Sequence, residues 1–229
     1  MVPPLVLDID GTLTIGDAEQ EPAPIDPRLL DRLRNWEAPV MLSTGKAFPF
    51  PVALCQFTGL PTRVIAETGG IVCNSDRLEI LVDNEAVDAF VDTMRERGVS
   101  SGDPLDFINR WRETEVAYLR VVAREELEPV ATAYGLEVID TGYAYHVKDP
   151  TVSKGDGLDR LLDWESIDPA TCVAIGDSVN DVPVFDRVGH AVALANAAAE
   201  AKLAADRIAD VGHAEGTLDT LNRLEREWA

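Results

Sequence analysis

The sequence has few cysteines and no long apolar run, which argues against a disulfide-stabilised protein and against one that spans a membrane. Its three cysteines among 229 residues, Cys55, Cys73 and Cys172, are unclustered and lack the spacing of a metal site. They argue against a disulfide framework and indicate buried thiols in a reducing compartment. No apolar stretch approaches the roughly 20 residues that cross a bilayer, and no basic segment opens the chain as in a signal peptide. We therefore expect a cytoplasmic protein that does not span a membrane.

Positive charge is also scarce. The chain has 20 Lys and Arg residues against 41 Asp and Glu residues, which gives a formal net charge of −21. Such a surface repels nucleic acid and anionic membranes, so neither is expected as a partner. An anionic substrate is repelled too, so its site needs a metal ion and cations of its own. The surplus acids are either an ordinary solvated surface or an adaptation to a salt-rich cytoplasm.

The second interpretation predicts a fold that depends on salt. Since acidic side chains repel each other less when ions screen them, the melting temperature should fall when molar salt is replaced by millimolar salt. Thermal unfolding followed by circular dichroism across that range measures the effect. A melting temperature that stays constant would leave the acidic surface without this role.

Short apolar strands alternate with helical patterns at both ends of the chain, which is typical of a parallel sheet covered by helices. The patterns predict strands at 4–8, 39–43, 63–66, 171–175 and 190–194, and helices at 27–36, 47–57, 154–163, 181–187, 197–204 and 217–227. With 46% hydrophobic and 27% charged residues, the composition is that of a globular protein. The predicted fold class is α/β, with a Rossmann-like parallel core.

The middle of the chain has a different pattern. In order, it predicts a helix at 85–97, strands at 104–111 and 115–122, a helix at 124–134, and strands at 136–140 and 143–147. This order describes an α+β unit rather than a continuation of the parallel sheet. We therefore predict a core formed by residues 1–81 and 151–229, with an inserted domain at 82–150.

Two carboxylates follow the first strand. Asp8 and Asp10 come after an apolar run and directly before Gly11. Residues two apart in an extended chain point the same way, so both acids can address one site at the sheet edge where α/β folds bind ligands. One acid can attack while the other moves a proton, and together they can help to hold a hard divalent cation. The pair indicates chemistry on a phosphate; two acids that only cap a turn are the alternative.

Two further segments carry groups that suit a phosphate site. Thr44 and Gly45 follow a second strand where a helix begins, so a hydroxyl and backbone N–H groups would face a phosphate there. An N-cap alone would also explain Thr44. Lys154 begins a predicted helix, where a cation opposes the helix dipole. A nearby anion, either a phosphate or Asp8, explains this lysine better than an exposed surface position does.

A fourth segment, at 176–181, is another buried strand that ends in acids. Its two carboxylates, Asp177 and Asp181, stand four residues apart around a turn. A divalent cation needs several hard oxygen ligands, and Asp8 with the Asp10 carbonyl cannot supply all of them. Asp177 could complete the coordination, with Asp181 as a further ligand or as a residue that holds the ligands in place.

Taken in order, these segments resemble the four motifs of the haloacid-dehalogenase-like phosphatases. The motif positions are 8–12, 44–45, 154 and 176–181. The insert stands where the larger cap type of that superfamily stands, as in its Cof-like branch. The chain length and three further segments are similar to those of the archaeal-type phosphoglycolate phosphatases; the segments are 67–70, 109–113 and 142–146. Two residues depart from the pattern: Lys46 stands where Arg or Asn is common, and Thr68 where Asn is common.

The resemblance implies a Rossmann-like core with an α+β cap, and a two-step phosphoryl transfer. Asp8 would attack phosphorus and form an aspartyl-phosphate, and Asp10 would protonate the leaving group and then activate water. The implied cofactor is Mg²⁺, and its implied ligands are Asp8, the Asp10 carbonyl, Asp177 and Asp181. The residues implied in binding the phosphate are Thr44, Gly45 and Lys154.

The insert is expected to select the substrate. Arg110 and Arg112 flank Trp111 in an otherwise acidic chain. One of these arginines, or His146, would meet the carboxylate of a small phosphorylated organic acid, unless the arginines only decorate an exposed strand edge. The resemblance points to hydrolysis of 2-phosphoglycolate. The alternatives are a sugar-phosphate or mannosyl-phosphoglycerate-type phosphatase and a non-catalytic phospholigand-binding protein, as either a monomer or a homodimer.

Overall fold

The computed structural model describes residues 2–16 and 23–228. The helices are α1 Pro27–Arg34, α2 Pro49–Thr58, α3 Glu85–Glu96, α4 Leu105–Ile108, α5 Arg124–Ala133, α6 Lys154–Glu165, α7 Val182–Phe185, α8 Ala199–Ala204 and α9 His213–Trp228. The strands are β1 Leu5–Leu7, β2 Val40–Ser43, β3 Arg63–Ala66, β4 Ile71–Asn74, β5 Leu78–Ile80, β6 Glu115–Leu119, β7 Glu137–Asp140, β8 Ala144–Lys148, β9 Val173–Gly176, β10 His190–Ala193 and β11 Arg207–Ile208. Among the residues described, no helix combines the length and apolar character that a membrane crossing requires.

An eight-stranded sheet forms the core of the fold, in the order β11-β10-β9-β1-β2-β3-β4-β5. The strands from β11 to β3 in this order are parallel, and β4 and β5 extend the edge as antiparallel strands. The predicted α/β class is confirmed, although the sequence patterns missed β4, β5 and the two-residue β11. Because β1 lies between β2 and β9, the loops that follow these three strands open at the same edge of the sheet.

Alternating side chains of β1 explain why this strand lies at the centre. Leu5 and Leu7 are buried on the face covered by α1 and α9, where they join an apolar cluster with Leu29 and Leu221. Val6 is buried on the opposite face, in a cluster that includes Leu158 of α6. A strand covered on both faces must be apolar throughout, and its position fixes where the chain emerges at Asp8.

A smaller antiparallel sheet, in the order β6-β8-β7, is formed by the chain between β5 and α6, which is called the insert below. One face of this sheet is covered by α3 and α5, which supply Phe90 and Leu127 to a cluster with Tyr118 and Val147. The opposite face carries Ala117 and His146 toward the core. The chain leaves the large sheet after β5, which ends at Ile80, and packs against it again from α6, which begins at Lys154. Met1, residues 17–22 and Ala229 of the predicted core lie outside the described residues.

The strand predicted at 104–111 is wrong: the chain forms α4 and then a 3₁₀ turn at Asn109–Trp111. Asn109 lies beside β6, where its Nδ2 donates to Ala117 O at 2.8 Å and its Oδ1 accepts from Ala117 N at 3.1 Å. This side-chain amide satisfies backbone groups that a neighbouring strand would otherwise bond, so the edge of β6 needs no further strand there. Leu105 packs against Ala117 from the same segment.

Candidate active site

Four acidic and basic side chains meet at the edge of the large sheet. Carboxylate oxygens of Asp8, Asp177 and Asp181 lie within 4.8 Å of one another. Lys154, the first residue of α6, is completely buried beside them. Its Nζ donates to Asp8 Oδ1 and to Asp181 Oδ1, each at 2.7 Å. Segments that are far apart in the chain thus form one charged cluster.

Lys154 is held in its charged form. Burial would lower the pKa of its ammonium, but the charges of Asp181 and Asp8 outweigh this effect and raise the pKa. Ser153 caps α6 through a hydrogen bond from Asp156 N, which fixes the start of the helix at this lysine. The position that is unfavourable for a cation in an isolated helix is compensated here by two carboxylates.

Burial and mutual repulsion both disfavour the ionised form of the acids in this cluster. Burial raises the pKa of Asp8 well above its ordinary value, and the charge of Lys154 offsets only part of that increase. Burial and the charge of Asp181 raise the pKa of Asp177 to about 7. A divalent cation would relieve this repulsion, and clustered carboxylate oxygens are the ligands that Mg²⁺ prefers. The donor set therefore fits such an ion.

Asp177 is held by side chains from two other loops. Thr12 Oγ1 donates to its Oδ1 at 3.1 Å, and Asn196 Nδ2 donates to its Oδ2 at 3.2 Å. Gly11 has a φ of +75°, and a Cβ at this position would lie 2.2 Å from Asp177 Oδ2. Gly11 is thus required both by the turn after β1 and by the close approach of this carboxylate.

Asp181 has a different set of partners. Its Oδ2 accepts from the backbone N–H groups of Asp177 and Ser178, at 3.1 Å and 2.9 Å. Its Oδ1 accepts from Lys154. Because both oxygens are engaged within the protein, this carboxylate holds the loop and the lysine in position.

Asp10 points to the mouth of the site rather than into the charged cluster. Its side chain is 39% exposed, and Lys46 Nζ lies 2.9 Å from its Oδ1. Lys46 belongs to the β2 loop, residues 44–48, so this ion pair joins the loops after β1 and β2. The position is suited to a group that exchanges protons with a ligand and with water.

Thr44 and Gly45 occupy different positions in the β2 loop. Thr44 is completely buried, and its Oγ1 accepts from Lys46 N at 3.1 Å. Gly45 reaches the surface of the site and comes close to the insert. A Cβ at Gly45 would lie 3.0 Å from His146 Cε1 and 3.5 Å from Asn180 Nδ2. A side chain at this position would therefore fill the space between loop and insert.

The sheet edge and the insert enclose a cavity of about 1050 Å³. Core residues Asp8, Asp10 and Asp177 line one side, and Arg112 and His146 of the insert line the other. A ligand bound at Asp8 would therefore also meet the insert. The candidate residues that line this cavity are Asp8, Asp10, Gly45, Asp177, Arg112 and His146.

Arg112 and His146 are held by one buried carboxylate, Glu115. Arg112 Nη1 forms an ion pair with Glu115 and also donates to Gly45 O at 2.9 Å. His146 Nδ1 lies 2.9 Å from Glu115 Oε1. Burial raises the pKa of Glu115, but the charges of His146 and Arg112 outweigh it and lower the pKa to about 2. Glu115 is thus ionised, and His146 Nδ1 donates to it.

Arg110 is not brought to the site. Its guanidinium is exposed and lies over the ring of Phe107, 5.8 Å from the ring centre. Phe107 also contacts Trp111, whose ring makes an edge-to-face contact with Phe50 of α2. Of the two arginines that the sequence analysis singled out, only Arg112 lines the cavity.

Sequence reasoning missed Asn196 and Glu115. Asn196 comes just after β10, at the same sheet edge as the motif acids, so its position was a usable signal. Its Oδ1 accepts from His213 N at 2.8 Å while its Nδ2 contacts Asp177, which joins two loops. Glu115 resembles any acid of an edge strand, and only the packing of the insert brings it to Arg112 and His146.

Comparisons with known proteins agree with this arrangement. A family model described as haloacid dehalogenase-like hydrolase matches residues 131–221. The phosphoglycolate phosphatase of Halorubrum lacusprofundi is 49% identical over 230 residues, which cover 98% of each chain. The crystal structure of Thermoplasma acidophilum 0175 superposes with a TM-score of 0.82 at 26% identity, and covers 98% of this chain and 99% of that one. The subclass IIB sugar phosphatase BT4131 shares the fold, with a TM-score of 0.74 at 16% identity over 97% of this chain and 99% of that one.

Motif order, sheet topology and full-length similarity all point to the same family. The acids after β1 and β9 and the lysine of α6 lie together, as the resemblance of the motifs implies. The chain therefore belongs to the haloacid dehalogenase-like hydrolases and is a phosphoric monoester hydrolase.

Proposed function

We propose that this enzyme is a Mg²⁺-dependent phosphatase that hydrolyses a small phosphorylated organic acid, with 2-phosphoglycolate as the preferred substrate. The observation that carries the proposal is the buried Asp8, which Lys154 holds within 4.8 Å of Asp177 and Asp181 at the wall of the cavity. The Halorubrum lacusprofundi relative named phosphoglycolate phosphatase supports the substrate. In this proposal residues 1–81 and 151–229 are the catalytic core, and residues 82–150 are a cap that covers it.

Asp8 is the nucleophile in this proposal. One of its oxygens attacks phosphorus, the bond from phosphorus to the ester oxygen breaks, and an aspartyl-phosphate results. Asp10 gives its proton to the departing alkoxide and then takes a proton from the water that cleaves the aspartyl-phosphate. Lys46 keeps Asp10 at the cavity mouth, where both proton transfers take place. Lys154 supplies positive charge to the phosphate oxygens, and the N–H of Gly45 donates to them. Thr44 N already donates to Ile65 O at 2.9 Å, so Thr44 would contribute through its hydroxyl.

The residues that would hold Mg²⁺ are Asp8, Asp177 and the Asp10 carbonyl, with Asp181 as the residue that positions them. This assignment of Asp181 follows from its two oxygens, which already accept from Lys154 and from the backbone of the β9 loop. When bound, the ion supplies positive charge that offsets the repulsion between a carboxylate nucleophile and a phosphate dianion.

Binding of Mg²⁺ should depend on pH. The pKa of Asp177 is about 7, so this ligand carries a proton below that pH and must lose it when the ion binds. Affinity for Mg²⁺ should therefore rise with pH, by up to about tenfold for each unit below neutrality through Asp177, and the raised pKa of Asp8 adds to the rise in the same direction. Isothermal titration over a pH series measures this, and Asp177→Asn should weaken binding and make the profile less steep. An affinity of the wild type that is independent of pH would contradict the prediction.

The carboxylate of the substrate would bind to Arg112 and His146. Arg112 is buried against Gly45, and His146 lies beside the same glycine, so both are next to the proposed phosphate site. In 2-phosphoglycolate a single methylene separates the ester oxygen from the carboxylate, so the second anionic group must lie close to the first. Hydrogen-bond donors of Arg112 and His146 placed against the β2 loop suit such a short acid better than an extended sugar phosphate.

Arg112→Gln and His146→Gln should each raise KM for 2-phosphoglycolate by about tenfold or more, the loss expected for one charge-assisted hydrogen bond. The same variants should change KM far less for 2-hydroxyethyl phosphate, which has a similar size and no carboxylate. Arg110→Gln is the matched control and should behave like the wild type, because Arg110 lies over Phe107 outside the cavity. Equal effects on both esters would contradict a carboxylate site at these residues.

A phosphate-release screen over small phosphate esters, in Mg²⁺ and high salt, tests the proposed function. We expect the highest kcat/KM for 2-phosphoglycolate. Higher values for hexose phosphates or mannosyl-phosphoglycerate would replace the proposed substrate while keeping the proposed chemistry.

A further inference from the structure

Glu67 is a buried carboxylate to which the proposed chemistry assigns no role. It follows β3 and is 1% exposed. Its Oε2 accepts from Glu113 N at 2.9 Å, from Thr114 N at 2.8 Å and from Thr114 Oγ1 at 2.9 Å. Its Oε1 accepts from Phe48 N at 3.2 Å. Four donors thus surround one buried carboxylate that is not among the residues lining the cavity, which calls for a role outside the reaction itself.

The donors come from two different parts of the molecule. Phe48 closes the β2 loop, which carries the proposed phosphate-binding groups. Glu113 and Thr114 belong to the insert, just before β6. Glu67 therefore joins the insert to the β2 loop through a single side chain, and the contact is close: a Cβ at Gly70 would lie 2.0 Å from Thr114 Oγ1.

The backbone of the same turn also contacts the β2 loop. Glu67 N donates to Lys46 O at 3.1 Å, and Thr68 N donates to Thr44 O at 3.2 Å. Both residues have left-handed φ values, 51° at Glu67 and 52° at Thr68. A β-branched residue such as Thr68 rarely adopts this conformation, so its surroundings must maintain it. The hydrogen bonds to the β2 loop and to the insert are those surroundings.

The far side of the turn packs against the start of α6. Gly69 has a φ of +104°, and a Cβ there would lie 1.9 Å from Ser153 O, next to Lys154. The turn at residues 67–69 thus contacts the insert, the β2 loop and the helix start that carries Lys154. A displacement of the insert would be transmitted to the proposed phosphate-binding groups through this turn.

We propose that Glu67 is a positioning residue that couples the seating of the insert on the core to the conformation of the β2 loop. The proposal rests on the proposed function, since it takes the β2 loop as the phosphate-binding loop. With the insert seated, the carboxylate has all four donors and the loop is held in place. When the insert moves away, a buried carboxylate loses three of them, so seating of the insert and ordering of the loop favour each other.

Glu67→Gln tests this coupling, because an amide of the same shape cannot accept hydrogen bonds at both of its ends. Hydrogen exchange at the amides of Phe48, Glu113 and Thr114 reports the contacts directly, and titration with inorganic phosphate in Mg²⁺ reports the loop. We expect faster exchange at these amides and phosphate affinity lower by about tenfold, the effect of losing one or two hydrogen bonds. Neither readout requires turnover or knowledge of the ester, so failure of the proposed substrate would leave this test intact.

Glu165→Gln is the matched control. Glu165 is a largely buried carboxylate that accepts from Asn74 Nδ2 at 2.7 Å and pairs with Arg63, both within the core. The Glu165→Gln protein should be less stable than the wild type, while its phosphate affinity and its hydrogen exchange at Phe48, Glu113 and Thr114 stay unchanged.

If Glu67→Gln does not fold, Thr114→Val removes a single donor and should give smaller changes of the same sign. The coupling would be overturned if the folded variant lost stability while phosphate affinity and exchange at the three amides matched the wild type.

Discussion

Replacing Asp8 by asparagine should abolish turnover, with kcat lower by on the order of 10⁴-fold or more, as for other enzymes that lose their nucleophile. The neutral amide oxygen is a much weaker nucleophile than a carboxylate oxygen, so no acyl-phosphate forms. The variant should still fold, because it loses one of three crowded carboxylates while Lys154 keeps its bond to Asp181. Phosphate release measures the rate, and mass spectrometry after acid quench detects the covalent phosphate on the wild type.

Two further variants test whether the loss of turnover is specific to Asp8 as the nucleophile. Asp10→Ala should also slow turnover, but it should retain Mg²⁺ binding, because the ligand proposed at this residue is its backbone carbonyl. Asp26→Asn changes another buried aspartate, which caps α1 through Arg28 N at 2.8 Å, and should leave turnover intact. Near-normal turnover in Asp8→Asn would overturn the assignment of the nucleophile.

Replacing Lys154 by methionine should destabilise the protein by about 3–5 kcal/mol, the cost of leaving one side of a buried ion pair without its partner. Asp8 and Asp181 would then face each other in the interior with no cation between them. Turnover should fall as well, because the proposed nucleophile Asp8 loses the positive charge that lies 2.7 Å from its Oδ1. Denaturant unfolding with and without Mg²⁺ measures the loss, and added Mg²⁺ should restore part of the stability.

The loss of stability caused by Lys154→Met should depend on pH. Below the raised pKa of Asp8, this carboxyl takes up a proton, and the repulsion that Lys154 normally offsets disappears. The loss of stability in Lys154→Met should therefore be smaller in acid and grow as the pH rises.

Lys148→Met is the matched control for Lys154→Met. Lys148 is also buried, but its partner Glu137 is 41% exposed and can be solvated. Its loss should cost less stability, since a carboxylate that reaches water keeps most of its hydration. A Lys154→Met protein as stable as the wild type would show that the lysine is not needed to neutralise the acids.

The sequence alone was sufficient to predict much of the core. Parallel strands end at a common edge, so acids placed directly after apolar runs, such as Asp8 and Asp177, could be assigned to one site from a single chain. The helix that begins at Lys154 was also evident, because a cation at that position needs an anion nearby. These signals depend only on neighbouring residues and on the geometry of strands and helices.

Other features could not be predicted because they depend on contacts between residues far apart in the chain. Asn109 bonds the edge of β6 through its side chain, in a segment where a strand was expected and where α4 and a 3₁₀ turn are found. Arg110 and Arg112 look alike in the sequence, and packing of the insert alone places Arg112 in the cavity. The pKa of Asp177 near 7 likewise arises from its burial beside Asp181.

The sequence by itself determined the α/β core, the order of the motifs and the edge of the sheet at which the acids emerge, since all three follow from local patterns. The tertiary structure decided which charges face one another, which arginine reaches the cavity and that Glu67 joins the insert to the β2 loop. Burial and charge interactions act through space between distant segments, and only the packed fold sets those distances.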